Sequence, residues 1–168
     1  MSEVALVTGA SSGIGAEFAK LLSARGYEVI LVARRSELMA QLAQELPGPA
    51  HVIACDLANE APSLASKVAA LGLQVDVLVN NAGFGAHGHF AEIDPAREAE
   101  EVRLNREALV TLAHAFLPRM IERGRGGVIT VAASSPSRTH FWPPSGAPSQ
   151  PVNGRVSHFL LSSALGIS

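Results

Sequence analysis

The sequence predicts an α/β protein built on a doubly wound parallel sheet with strand order 3-2-1-4-5. Three observations carry this. Five short apolar runs alternate with helix-length stretches along the first 131 residues. The runs are apolar almost without interruption, the pattern of strands covered on both faces. The first run, Val4-Ala5-Leu6-Val7, ends in a glycine-rich turn, Thr8-Gly9-Ala10-Ser11-Ser12-Gly13-Ile14-Gly15, with an amphipathic helix pattern directly behind it. Right-handed crossovers between parallel strands then make 3-2-1-4-5 the default order.

Each element has its own signal. Val4–Val7 reads as a buried strand, and Ile14 to Ala24 as a helix with Phe18, Leu21 and Leu22 on one face. Gly26 closes that helix before the second strand, Tyr27 to Ala33. Arg34-Arg35-Ser36 leads into a helix from Glu37 to Leu46, which Pro47-Gly48-Pro49 stops. His51 to Cys55 is the third strand, ending at Asp56, and a helix follows over about Ala61 to Leu71. Val75 to Val79 is the fourth strand, ending at Asn80-Asn81-Ala82-Gly83. A long helix from about Pro95 to Arg123 starts on a proline, which suits a first turn. Gly124 to Gly127 breaks it, and Val128 to Val131 is the fifth strand.

Bulk properties narrow the function. The 168 residues are 48% hydrophobic and 17% charged, which describes a folded globular chain. A formal net charge of −2 gives no electrostatic case for nucleic acid or an acidic membrane surface. The chain shows no basic-then-apolar leader and no apolar run near membrane-spanning length, so a cytoplasmic location is expected. Cys55 lies in an apolar run and reads as a small buried side chain, with no support for a disulfide or zinc. His87 and His89 lack a neighbouring acid or cysteine, so they read as part of a glycine-rich loop and no metal site is expected. Arg119, Arg123 and Arg125 read as surface charge complementing a helix C-terminus.

In a parallel sheet of this kind, ligands bind at the carboxyl ends of the strands. Gly9–Gly15, Arg34-Arg35, Asp56, Asn80–Gly83 and Ala132–Ser135 all fall there. The glycine-rich turn suits a pyrophosphate, because the backbone can approach it and the helix behind offers free N–H groups and a positive dipole end. No Gly-Lys-Ser/Thr follows the glycines, which excludes a Walker loop. An acid at the end of the second strand would accept bonds from the ribose hydroxyls of NAD. Ala33 stands there instead, followed by two guanidiniums able to fork onto a 2′-phosphate, so NADP(H) is favoured over NAD(H). The plainer alternative is a solvated pair, although positive charge at a helix N-terminus opposes the dipole.

These motifs make the chain resemble the short-chain dehydrogenase/reductase family over about residues 3 to 135. It matches that family's Thr-Gly-x-x-x-Gly-x-Gly at Thr8–Gly15, its Asp-Leu at Asp56-Leu57, its Asn-Asn-Ala-Gly at Asn80–Gly83, and its helix asparagine at Asn105. The resemblance implies a Rossmann-like fold and hydride transfer between a nicotinamide cofactor and a carbonyl or secondary alcohol. It implies that Gly9, Ser11, Ser12, Gly13, Ile14 and Gly15 hold the pyrophosphate and nearby ribose, beside the 2′-phosphate site read above from Arg34 and Arg35. Asp56 and Leu57 would contact the adenine, and Asn81, Ala82 and Gly83 would border the cofactor. Asn105 would occupy the proton-relay position, and Ser134 or Ser135 would supply the catalytic hydroxyl. The family's oligomers, built through the long helix and the one after it, are expected but weakened here.

The pattern then fails. The family needs a tyrosine about thirteen residues after the serine and a lysine four beyond it. Tyr27 is the chain's one tyrosine, Lys67 is its last lysine, and aligning the tail puts Pro151 and Arg155 at the two places. From Pro136 onward there is no acid, and half of the ten prolines occur there. The expected division is therefore a nucleotide-binding domain over 1–135 and an irregular tail over 136–168, with a short helix near 157–165 and no sixth or seventh strand. Two origins for the tail remain open. One is a slipped reading frame, since reading the codons one base earlier permits a Ser-…-Ala-Phe-Gln-…-Phe-x-x-x-Lys block; the other is a genuinely divergent tail. Either way the expectation is a cofactor-binding half without turnover, or alternatively a non-enzymatic NADP-binding or scaffold protein. The substrate is not legible.

Overall fold

The computed structural model describes residues 2–86 and 90–131. The strands are β1 (Val4–Thr8), β2 (Glu28–Ala33), β3 (Ala50–Ala54), β4 (Val77–Asn80) and β5 (Gly127–Thr130). They form one parallel sheet in the order β3-β2-β1-β4-β5, as the alternation of apolar runs predicts. The helices are α1 (Gly13–Ala24), α2 (Ser36–Glu45), α3 (Leu57–Glu60), α4 (Leu64–Ala70), α5 (Pro95–Val102) and α6 (Leu109–Glu122). The expected tail and its helix near 157–165 lie outside the described residues, as do Ala132, Ser134 and Ser135.

Unbroken apolar strands are explained by a core on each face. Leu6, Ile30, Val32 and Leu78 point into one, closed by α3, α4 and α6 through Leu57, Leu64, Val68, Leu112 and Phe116. Ala5, Val7, Val29, Leu31 and Val79 point into the other, with Ala19, Leu22, Met39 and Leu42 of α1 and α2. Each large side chain buried in this way contributes about 1.5–3 kcal/mol. Val7 pairs level with Leu31 on β2 and Val79 on β4, so these three strands deliver their chains to one edge at one height.

Two helices differ from expectation. In place of a single helix from Ala61 to Leu71, helical structure begins at Leu57 with α3 and passes through a 3-10 turn at Ala61–Ser63 into α4. Asp56 starts α3 early by accepting a hydrogen bond from the Ala58 amide (3.2 Å), and Pro62 sits in the 3-10 turn. The long helix is interrupted by a π-helical segment at Arg103–Ala108 between α5 and α6. Such wide turns concentrate at functional sites.

The amino ends of the strands are tied by charge. Asp76, 4% exposed, accepts from the Val4 amide (3.0 Å) and from Arg123 (3.2 Å), and lies 3.5 Å from Arg125. Arg123 also donates to the Val75 carbonyl oxygen at 2.8 Å. Reading Arg123 as helix-dipole surface charge is therefore corrected: it is partly buried, and it clamps the starts of β1 and β4.

Candidate functional site

At the carboxyl ends of β1, β2 and β4 the glycine-rich turn is held open by its own sequence. Gly9 and Gly13 have φ of +66° and +59°, which L side chains rarely adopt. A Cβ on Gly9 would lie 2.9 Å from the Ala82 Cα, and one on Gly15 would strike the Gly9 carbonyl oxygen. Gly13 faces open space. Ser12 caps α1 with extended backbone, yet its side chain makes no capping bond and the first turn carries no acid. The amides at the start of α1 are thus without a side-chain cap or a compensating acid.

Thr8 joins this turn to the end of β4. Its buried hydroxyl donates to the Val79 carbonyl oxygen (3.1 Å) and accepts from the Asn81 and Ala82 amides (2.9 and 3.0 Å). Asn81 returns the contact through Nδ2 to the Thr8 carbonyl oxygen at 3.0 Å. The sequence places Thr8 at the head of the glycine-rich motif but gives it no role; its one hydroxyl fixes the spacing between two of the predicted ligand-binding segments. Beyond Gly83, Asn105 in the π segment accepts from the Phe84 amide (3.1 Å) and donates to the Phe84 carbonyl oxygen (2.7 Å). A side chain on Gly83 would press 2.9 Å from the Asn105 Oδ1. Asn105 therefore clasps the loop after β4, and the wide turn carries its side chain there.

The two arginines after β2 part company. Arg35 donates to the hydroxyls of Ser11 (3.0 Å) and Ser12 (3.1 Å), which brings positive charge onto the glycine-rich turn. Arg34 instead pairs with Glu100 of α5 at 3.4 Å. The expectation that both fork onto one phosphate does not describe their present partners. Asp56 caps α3, with Asn59 donating to its second oxygen at 2.7 Å, and the Leu57 side chain is buried in the core. Ile14, 59% exposed, flanks the turn. Two further side chains that the sequence reading passed over shape this edge. The Arg97 guanidinium stacks 3.8 Å above the Phe84 ring, and the Glu101 carboxylate accepts from the Ala86 amide at 2.7 Å.

The remaining chemistry-bearing residues lie elsewhere. Tyr27 precedes β2 at the amino ends of the strands, opposite the glycine turn; burial and then the nearby Glu3 push its phenol up. Lys67 on α4 is paired with Glu60 at 2.6 Å, a hydrogen bond that raises its pKa. Cys55 is buried with its thiol near Glu60, and burial pushes it up. Ser134, Ser135, His87 and His89 lie outside the described residues. No helix among the described residues is long and apolar enough to cross a membrane.

Comparison with known proteins fits this edge. A family model described as short chain dehydrogenase matches residues 3–141. Dehydrogenase/reductase SDR family member 7B of Mus musculus is 33% identical over 141 residues, spanning 77% of this chain and 43% of that protein. A short-chain dehydrogenase from Streptomyces avermitilis superposes with a TM-score of 0.72 at 37% identity, over 79% of this chain and 49% of the other. A metagenomic short-chain oxidoreductase solved in complex with NADP gives a TM-score of 0.74 at 38% identity, over 79% of this chain and 63% of its own. The chain spans about half the length of the relatives it matches.

Proposed function

The chain belongs to the short-chain dehydrogenase/reductase family, and on that premise we propose that it is the NADP(H)-binding half of an oxidoreductase acting on carbonyls or secondary alcohols. The observation that carries this reading is the start of α1, uncapped and acid-free, with Gly13 open to solvent and the Arg35 guanidinium drawn onto Ser11 and Ser12. Together these make a cradle for a pyrophosphate. A nicotinamide cofactor, when bound, supplies the hydride.

This chain's own residues have binding and positioning roles. Gly9, Ser11, Ser12, Gly13, Ile14 and Gly15 receive the phosphates and nearby ribose, with Arg35 adding positive charge at that turn and Arg34 supplying it for a 2′-phosphate. The ends of β3 and β4, at Asp56-Leu57 and Asn81-Ala82-Gly83, wall the nucleotide. Asn105 holds the Phe84 backbone, and so sets where the loop bordering the substrate side begins. The neighbour solved with NADP supports the choice of nucleotide. In the family, a tyrosine and lysine move the proton on and off the substrate oxygen. The one tyrosine here lies at the opposite end of the sheet, and Lys67 is engaged by Glu60. We therefore assign nucleotide binding without turnover to the chain as written, with Ser134 or Ser135 as the surviving family hydroxyl. A non-enzymatic NADP-binding or scaffold role is the second reading, supported by the same geometry. Any oligomer would use the outer face of α6, where Val110 and Ile121 are exposed, and would be weak.

The test is fluorescence titration with NADPH. The wild type should bind, and Gly13→Asp, which places a carboxylate in the anion cradle, should weaken binding at least tenfold without loss of fold. NADPH oxidation with a carbonyl substrate that Gly13→Asp abolishes would falsify the absence of turnover. Failure of the wild-type chain to bind NADPH would remove the nucleotide reading itself.

A further inference from the structure

We propose that Glu100 is a specificity-determining residue that competes with the nucleotide's 2′-phosphate for Arg34. The inference rests on the nucleotide-binding reading above. Arg34 is the first residue beyond β2, and Glu100 lies on the helix that follows β4. In the sheet β1 stands between those strands, so the 3.4 Å Arg34–Glu100 pair spans the strand end from which the glycine-rich turn leaves.

The two partners are held very differently. The other Glu100 oxygen is bound by Arg97 at 3.1 Å, and Arg97 is itself stacked on Phe84, so the carboxylate is anchored and its side chain is only 24% exposed. The Arg34 side chain is 59% exposed, and Glu100 is the partner it has. Arg35 is committed to Ser11 and Ser12 at the pyrophosphate turn. Arg34 is thus the guanidinium left for a phosphate on the ribose, and a fixed anion already holds it.

A dianionic 2′-phosphate must draw Arg34 away from Glu100 and sit near that carboxylate. A nucleotide with a free 2′-hydroxyl meets neither cost. Glu100 therefore lowers affinity for the phosphorylated nucleotide relative to the plain one, and narrows the preference that two arginines would otherwise create.

The experiment titrates wild type, Glu100→Gln, Arg97→Ala, Arg34→Ala and the Arg34→Ala/Glu100→Gln double variant with NADPH, NADH, 2′,5′-ADP and 5′-ADP. Circular dichroism confirms that each variant is folded. Glu100→Gln keeps the side chain's size and an oxygen for Arg97 while removing the charge. It should tighten NADPH and 2′,5′-ADP about fivefold, the scale of a partly exposed ion pair, and leave NADH and 5′-ADP within about twofold. The gain should shrink in high salt and vanish when Arg34 is alanine. Arg97→Ala, which loosens the loop but leaves the Glu100 carboxylate charged, should not reproduce it. An equal shift for NADPH and NADH, a gain that survives loss of Arg34, or the same gain from Arg97→Ala would each overturn the assignment. If none of the four ligands binds the wild type, the nucleotide reading falls first and this one with it.

Discussion

At the amino ends of the strands Asp76 is buried, and its contacts with Val4 and with the partly buried Arg123 are internal; at the carboxyl ends Arg34 and Ser12 are exposed and α1 begins without a side-chain cap. Both ends use arginine and carboxylate, yet burial separates their roles. A buried pair cannot be exchanged for water, so it fixes the starts of β1 and β4 in one arrangement. An exposed pair can trade its partner for a ligand. The difference teaches that the sheet is locked at one end so that the other can stay open.

The sharpest way to break this comparison is Asp76→Ala. It strands Arg123 partly buried and removes the acceptor for the Val4 amide, so it should cost about 3–5 kcal/mol in urea unfolding. Nucleotide affinity per folded molecule should not change, because the lost contacts lie at the far end. A cost below about 1 kcal/mol would show that the amino-end charges are no more structural than those at the carboxyl end.

Thr8 is the exception within the open end, and it tests where the division falls. Only 1% exposed, it holds the Asn81 and Ala82 amides on one oxygen. Thr8→Val keeps the shape but leaves those amides without that partner, at about 1–3 kcal/mol for each that water cannot reach. Stability and NADPH affinity should fall together here, unlike at Asp76. A variant that loses stability but binds as before would mean that the turn and the end of β4 need no common anchor.

Much of this was legible in the sequence because its signals are local. Apolar runs, a glycine turn and Pro95 at a helix start need only a few neighbouring residues to be read, and they yielded the strand order and the edge proposed for the nucleotide. The early start of α3 was also written locally, in Asp56 as an N-cap, but apolar periodicity pointed to Ala61 and won the reading. The Asp76–Arg123 clamp was not legible, since its partners are 47 residues apart and an arginine near a helix end has a simpler explanation. Glu100 was hidden for the same reason, lying 66 residues from Arg34 on what reads as an ordinary charged helix face. The π segment around Asn105 left no periodic trace, because one wide turn shifts the apolar pattern by too little to separate it from a straight helix.

Cys55 offers the smallest effect and the finest test of the comparison. It stands immediately after β3, at the open end by position, yet it is 3% exposed and its thiol is pushed up by burial. A raised thiol pKa means that the folded protein holds the proton more tightly than the unfolded chain does. The stability this gives is complete below the unfolded value of about 8.5 and is lost as pH rises through the folded value. Unfolding should therefore become easier above about pH 8.5, and Cys55→Ala should flatten that part of the profile. Lys67 and Tyr27, also raised, add their own losses at higher pH, so the difference between wild type and Cys55→Ala isolates the thiol. Thiol-labelling rates give a second readout: the native protein should react more slowly at pH 8 than the urea-unfolded chain, since both burial and the raised pKa suppress the thiolate. Equal labelling rates would place Cys55 with the exposed arginines, and the closed region would then end short of the strand tips.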